Sequence, residues 1–163
     1  MMRRTMIAAA FSAMALAACG SVSDSVTFHA PPGFVSKAAL GPFMEVWESV
    51  DNRSALMVMQ IPGEVDINKA MSSANVKSAK VVKKQQITIC GSQPAVFAEL
   101  TGTTGSNIKI GIGDGSTKTE NSNIDFIVTH ANGSSYFGMY AWPIHDAPDP
   151  AAQSAIRALC AKK

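Results

Sequence analysis

Apolar and polar residues alternate along most of the chain, and the period of that alternation predicts its elements. Residues 26–29 read as a brief strand, stopped by Pro31-Pro32-Gly33. Residues 43–50 interleave Phe43, Val46 and Trp47 with Glu45 and Glu48, the pattern of a half-exposed strand, and Asp51-Asn52 supplies a turn. Residues 54–61 carry Leu56, Met57, Val58 and Met59 in a row. Both faces of that strand are apolar, so it belongs at the centre of a sheet. Pro62-Gly63 ends it. The period then lengthens. Asp66 suits a helix N-cap, and Ile67, Ala70, Met71 and Ala74 follow at the spacing of an amphipathic helix.

The second half returns to strands. Residues 81–90 and 95–101 form a pair around Gly91-Ser92-Gln93-Pro94, which puts Cys90 at a hairpin corner. Residues 101–123 are rich in Gly, Ser, Thr and Asn. Within them Ile108, Ile110 and Ile112 alternate at period 2, and 113–123 reads as a loop. The glycines at 111, 113 and 115 do not make a phosphate loop, because no helix pattern and no Gly-Lys-Ser/Thr follows them. The strongest local signal is Asn132-Gly133 between strands at 124–130 and 134–142. In the second of these, Tyr136, Tyr140 and Trp142 share one face, with Phe137 and Met139 on the other. An aromatic face of this kind binds a ligand or, more commonly, packs under a helix. Such a helix is predicted to start at Asp149-Pro150. Ala152, Ile156, Leu159 and Cys160 fall on its inner face.

The N-terminus follows a different logic. Arg3 and Arg4 precede an apolar run from Met6 to Ala18 broken only by Ser12. A charged start, a short apolar stretch and small residues at its end describe an export signal. The run is short for a membrane-spanning helix, which needs about 20 apolar residues; a buried N-terminal helix is the structural alternative. The run ends in Leu16-Ala17-Ala18-Cys19, which resembles the lipobox of bacterial lipoproteins. The resemblance implies cleavage before Cys19, acylation of Cys19, and anchoring by two or three acyl chains, enough for stable attachment. Ordinary cleavage near Ala18, leaving Cys19 a free thiol, is the alternative. Gly20 in place of an aspartate after Cys19 favours, by resemblance, the outer membrane facing the periplasm. The expected organisation is a signal peptide at 1–18, a lipidated tether at 19–25 and one domain at 26–163.

Composition then changes meaning. Of 163 residues, 47% are hydrophobic and 16% charged, with 14 basic against 12 acidic side chains. Losing Arg3 and Arg4 with the signal leaves the mature chain with equal numbers of each. There is no global electrostatic case for nucleic acid. A local basic stretch remains at Lys77, Lys80, Lys83 and Lys84, read as a solvated surface or as a contact for anionic lipid headgroups. Of three cysteines, Cys19 is assigned to the anchor, and an even pair in an exported chain, Cys90 and Cys160, predicts a disulfide. A metal or redox pair is the competing reading. No Cys-x-x-Cys is present, and His29, His130 and His145 lie far from both cysteines in sequence, so no metal and no cofactor is expected.

The order of elements, with Pro31-Pro32-Gly33-Phe34, the Cys90-Gly91 corner, the long meander and the late Asp-Pro helix, resembles the PsbP/Mog-like fold. That group includes small bacterial envelope lipoproteins of the DcrB kind. The resemblance covers nearly the whole mature chain. It implies an α+β domain, an antiparallel β-sheet flanked by helices, in proteins that act as binding or accessory subunits. No Gly-x-Ser-x-Gly or His-Glu-x-x-His is present, so no catalytic residues are assigned and the chain is not expected to be an enzyme. A triad assembled in space remains the enzymatic alternative. The expected role is a non-catalytic lipid-anchored envelope protein, with the membrane and an envelope protein as partners. The alternative is a periplasmic carrier of a small apolar or aromatic ligand, with Trp47, Tyr136, Tyr140 and Trp142 as the candidate surface.

Overall fold

A computed structural model describes residues 22–39, 43–66, 79–103 and 121–162 of the chain. The expected export signal, Cys19, the helix expected from Ile67 to Ala74, the strand expected around Ile110 and most of the loop at 113–123 lie outside these residues. The described elements run α1 (Val22–Ser25), β1 (Val26–Thr27), β2 (Phe34–Ala39), β3 (Met44–Ser49), β4 (Ala55–Pro62), β5 (Ala79–Ile89), β6 (Gln93–Thr103), β7 (Asn121–Ala131), β8 (Ser134–Pro143), α2 (Pro150–Arg157) and β9 (Cys160–Ala161). Seven strands form one antiparallel sheet in the order β2-β3-β4-β8-β7-β6-β5. Strands β1 and β9 form a separate pair, Val26 opposite Ala161.

The strand pattern of the sequence is largely realised. Strand β4 sits centrally between β3 and β8, as its apolar faces require. Asn132 and Gly133 both take positive φ, 51° and 69°, and join the directly paired Ala131 and Ser134. A two-residue turn of that kind matches the right-handed twist of the strands it links. Strand β7 begins at Asn121, three residues before the expected start, because Asn121, Ser122 and Asn123 continue the ladder with β6.

Three elements depart from the sequence reading. Strand β2 pairs with β3 along the sheet edge, a position where Ser36 and Lys37 face water without weakening a core. Helix α2 ends at Arg157, so Cys160 lies not on the helix but in β9, two residues past the Ala158 cap. Finally, packed structure starts inside the segment read as tether. Val22–Ser25 forms one helical turn, and Val22, only 1% exposed, joins the main core.

That core lies on the face covered by α1, β1, α2 and β9. Leu56, Val58, Phe97, Ile127, Tyr136, Tyr140 and Trp142 from the sheet meet Val22, Ala152, Ile156, Leu159 and Ala161. Helix and sheet approach closely at Gly138. A Cβ there would meet Ile127 Cγ2 at 2.8 Å and Leu159 Cδ2 at 3.2 Å, so only glycine fits without displacing the C-terminal segment. The opposite face is apolar as well: Ala98, Leu100, Ile124, Met139 and Ala141 form one buried cluster, Val128 and Phe137 another.

Candidate functional site

The residues singled out in the sequence fall in three places. Cys90 and Cys160 are joined as a disulfide with a Cα–Cα separation of 5.9 Å. Cys90 occupies the β5–β6 turn with φ 53°, followed by Gly91 at 79°. Side chains reinforce the same corner. Gln93 Oε1 accepts from Ala161 N, and Asn132 Nδ2 donates to Lys162 O at 2.9 Å. Lys162 N donates to Ser25 O at 2.8 Å. The disulfide and these hydrogen bonds together hold the C-terminal strand, the segment at Ser25 and the tips of both hairpins as one unit.

Tyr136, Tyr140 and Trp142 do share a face, but all three are buried beneath α2 and the N-terminal segment. Tyr140 and Trp142 stack with ring centroids 4.7 Å apart, and Phe34 meets Tyr140 edge-on. Tyr140 Oη accepts from Asp149 N at 2.9 Å, so the ring supports the start of α2. Burial raises the Tyr140 hydroxyl above its ordinary pKa. Trp47 is half-buried and packs on Phe28, centroids 4.9 Å apart. Trp142 Nε1 is buried without an acceptor among the described residues.

A polar row that the sequence reading missed crosses the same face. Tyr140, Asp125, Glu99 and Lys83 stand side by side on β8, β7, β6 and β5. Asp125 is 1% exposed, and Gln153 Nε2 of α2 donates to its Oδ2 at 3.0 Å. Burial pushes its carboxyl above the ordinary value; the Gln153 hydrogen bond and the nearby Arg157 oppose this, while Glu99 adds to it. Arg157 approaches Glu99 at 3.8 Å and lies over the Phe97 ring at 4.5 Å. This arrangement docks a helix; its carboxylate is sealed from substrate. The signal was present in Ile124-Asp125-Phe126-Ile127, where period 2 puts Asp125 on the inward face with Ile127.

The histidines were the route to a catalytic triad, and one has a hydroxyl partner. His130 Nδ1 lies 2.9 Å from Ser135 Oγ. That hydroxyl is fully buried, donates to Gly63 O at 2.7 Å and accepts from Val65 N at 2.8 Å. A serine has one proton to give, and Gly63 takes it. The His130 ring nitrogen is then the donor, the reverse of what a general base requires. The pair pins the 63–65 connector to β8. Among the described residues no three His, Cys, Asp or Glu side chains are grouped to hold a metal.

Of the basic stretch, Lys77 lies outside the described residues. Lys80, Lys83 and Lys84 lie on β5, an outer edge of the sheet. Lys83 approaches Glu99 at 3.9 Å. The ladder shifts register between Val81 and Lys83, a bulge of the kind that protects an open edge.

Solved structures share this architecture. The fold is PsbP/Mog-like. Cyanobacterial PsbP from Synechocystis superposes with a TM-score of 0.59 at 13% identity, over 88% of this chain and 90% of that one. The Saccharomyces cerevisiae Ran-binding protein Mog1p matches with 0.55 at 10% identity, over 87% and 93%. PA94 from Pseudomonas aeruginosa, a protein of unknown function, matches with 0.51 at 13% identity, over 85% and 84%. No family model matches the sequence, and no curated protein does. At these identities the PsbP/Mog-like likeness concerns the fold alone.

Proposed function

We propose that the chain is a lipid-anchored, non-catalytic accessory or binding module of the bacterial cell envelope. The observation that carries this reading is Leu16-Ala17-Ala18-Cys19 at the end of an apolar run behind Arg3 and Arg4. The Cys90–Cys160 disulfide supports it, because such bonds persist in exported proteins and are rare in a reducing cytosol. Mog1p, which shares the fold, is a Ran-binding protein, and a binding role for this chain is proposed by analogy with it. Gly20 after the anchor points to the outer membrane, facing the periplasm. Mass spectrometry of the mature N-terminus tests the proposal. An acylated Cys19 as first residue is expected, and an unmodified Cys19 overturns the anchor. Crosslinking and pull-down of the anchored chain from envelopes then test for a protein partner.

A second reading, a carrier of a small apolar or aromatic ligand, has one observation in its favour. Trp142 Nε1 is a buried donor with no acceptor among the described residues, on a ring that stacks with Tyr140. A ligand carbonyl would satisfy it. Native mass spectrometry of protein purified from envelopes would show a bound small molecule if this reading holds, and the bare chain mass if it does not.

A further inference from the structure

The two ends of the sheet differ in their distance from the chain entry. Val22 is already core, and Ser25, one turn later, accepts from Lys162 N. Lys162 O in turn accepts from Asn132 at the β7–β8 tip. The chain therefore enters beside the hairpin tips, next to the turns at 90–92 and 131–133 and the Gly63–Val65 connector, which is tied to Gly133 O and Ser135. The opposite end carries the turn from Ser49 to Ser54 and the segment at 144–149. Strand β4, which runs from one end to the other over eight residues, separates them by roughly 23 Å.

From this we infer that the hairpin-tip end of the domain is a membrane-facing surface that rests on the phospholipid headgroups. The inference builds on the acylation of Cys19 proposed above. Two residues, Gly20 and Ser21, separate Cys19 from Val22, and the three extended steps between them reach about 10 Å. A domain of this size has a radius of gyration of roughly 15 Å, so so short a tether forbids free tumbling. The turn residues Gly91, Ser92, Asn132 and Gly133 are uncharged, whereas Glu64 of the neighbouring connector is exposed and acidic, so the short tether and not charge carries the orientation. The lysines of β5 point to a different role. Lys80 lies nine residues from the tip-proximal Ile89, roughly 30 Å along the strand, and Lys83 and Lys84 six and five residues away, roughly 20 and 17 Å, so these lysines sit off the tip end.

The test compares labelling at the two ends of the acylated chain in phosphatidylethanolamine/phosphatidylglycerol vesicles. Glu64→Cys reports the tip end and Val50→Cys, at a position 73% exposed, the far end. Mass analysis first confirms that Cys19 is acylated and that Cys90–Cys160 is intact in both variants. A bulky polyethylene-glycol maleimide is expected to label Glu64→Cys several-fold more slowly than Val50→Cys in vesicles, and at a similar rate in the soluble Cys19→Ser protein. Inserting a Gly/Ser spacer of about 20 residues after Gly20, with a root-mean-square reach of roughly 25 Å, should remove the difference. Equal rates in the acylated protein without the spacer overturn the orientation and leave the anchor standing. An unacylated Cys19 overturns both.

Discussion

The two ends of the sheet are held by different chemistry. At the hairpin tips a disulfide, one backbone and one side-chain hydrogen bond to Lys162 and the buried Ser135 hydroxyl join Ser25, the C-terminal strand and the 63–65 connector. At the other end, Arg53 and Asp146 form an ion pair at 2.8 Å in which both side chains are partly exposed. Asp149 caps α2 there, its carboxylate accepting from Ala151 N and Ala152 N. Covalent and buried ties cost much to break, whereas exposed ones exchange readily with water. The contrast teaches that the end beside Ser25 is braced by covalent and buried ties, and the far end mainly by ties in reach of water.

The largest expected effect comes from opening the disulfide. Its cysteines are 70 residues apart, and Cys160→Ser should cost roughly 4 kcal/mol in the chain-entropy picture, read as a fall in the urea midpoint. A loss below 1 kcal/mol would mean that the tip end holds without it. Next comes Ser135→Ala, which leaves Gly63 O and Val65 N without their shared partner; a loss of about 1–3 kcal/mol is expected. At the far end, Asp149→Ala removes the cap of α2 and should cost about 1 kcal/mol. If that loss matched the disulfide's, the contrast between the ends would collapse.

Between the ends, Asp125 sharpens the comparison through pH. Its native pKa is raised above the ordinary 3.8, so the folded chain holds this proton more tightly than the unfolded one. Its contribution therefore favours folding at acid pH and is lost as pH rises through the raised value. Asp125→Asn should flatten the fall in stability from about pH 4 upward, measured by urea unfolding at a series of pH values; an unchanged slope would show that burial does not govern this carboxyl. The smallest effect is expected for Arg53→Ala, no more than about 0.5 kcal/mol, since it breaks only a partly exposed pair.

How much was legible in the sequence depended on the range of the interactions. The strand hairpins were readable because their signals are local: Asn132-Gly133 specifies its turn, and Cys90-Gly91 marks its corner. The pairing of Cys90 with Cys160 was readable from the even count of cysteines left once Cys19 is set aside, although Cys160 lies in a strand and not on the helix. Strand β2 was missed because an edge strand with one ladder partner needs no continuous apolar pattern. Asp125 was missed because a lone carboxylate among apolar neighbours carries no motif of its own, although its place in the inward period was visible.

The sequence by itself determined the elements whose cause lies within a few residues. These are the unbroken apolar run of β4, the side-chain period of β7 and β8, the tight turn at 132–133 and the Asp149-Pro150 start of α2, each set by local side-chain pattern or by backbone φ preference. Only the tertiary structure decided which ends meet. The β1–β9 pair, the burial of Val22, the docking of Gln153 on Asp125 and the commitment of the Ser135 proton to Gly63 all join residues far apart in sequence. No local propensity encodes such contacts, because each becomes favourable only when the sheet has already brought its partners out of water together.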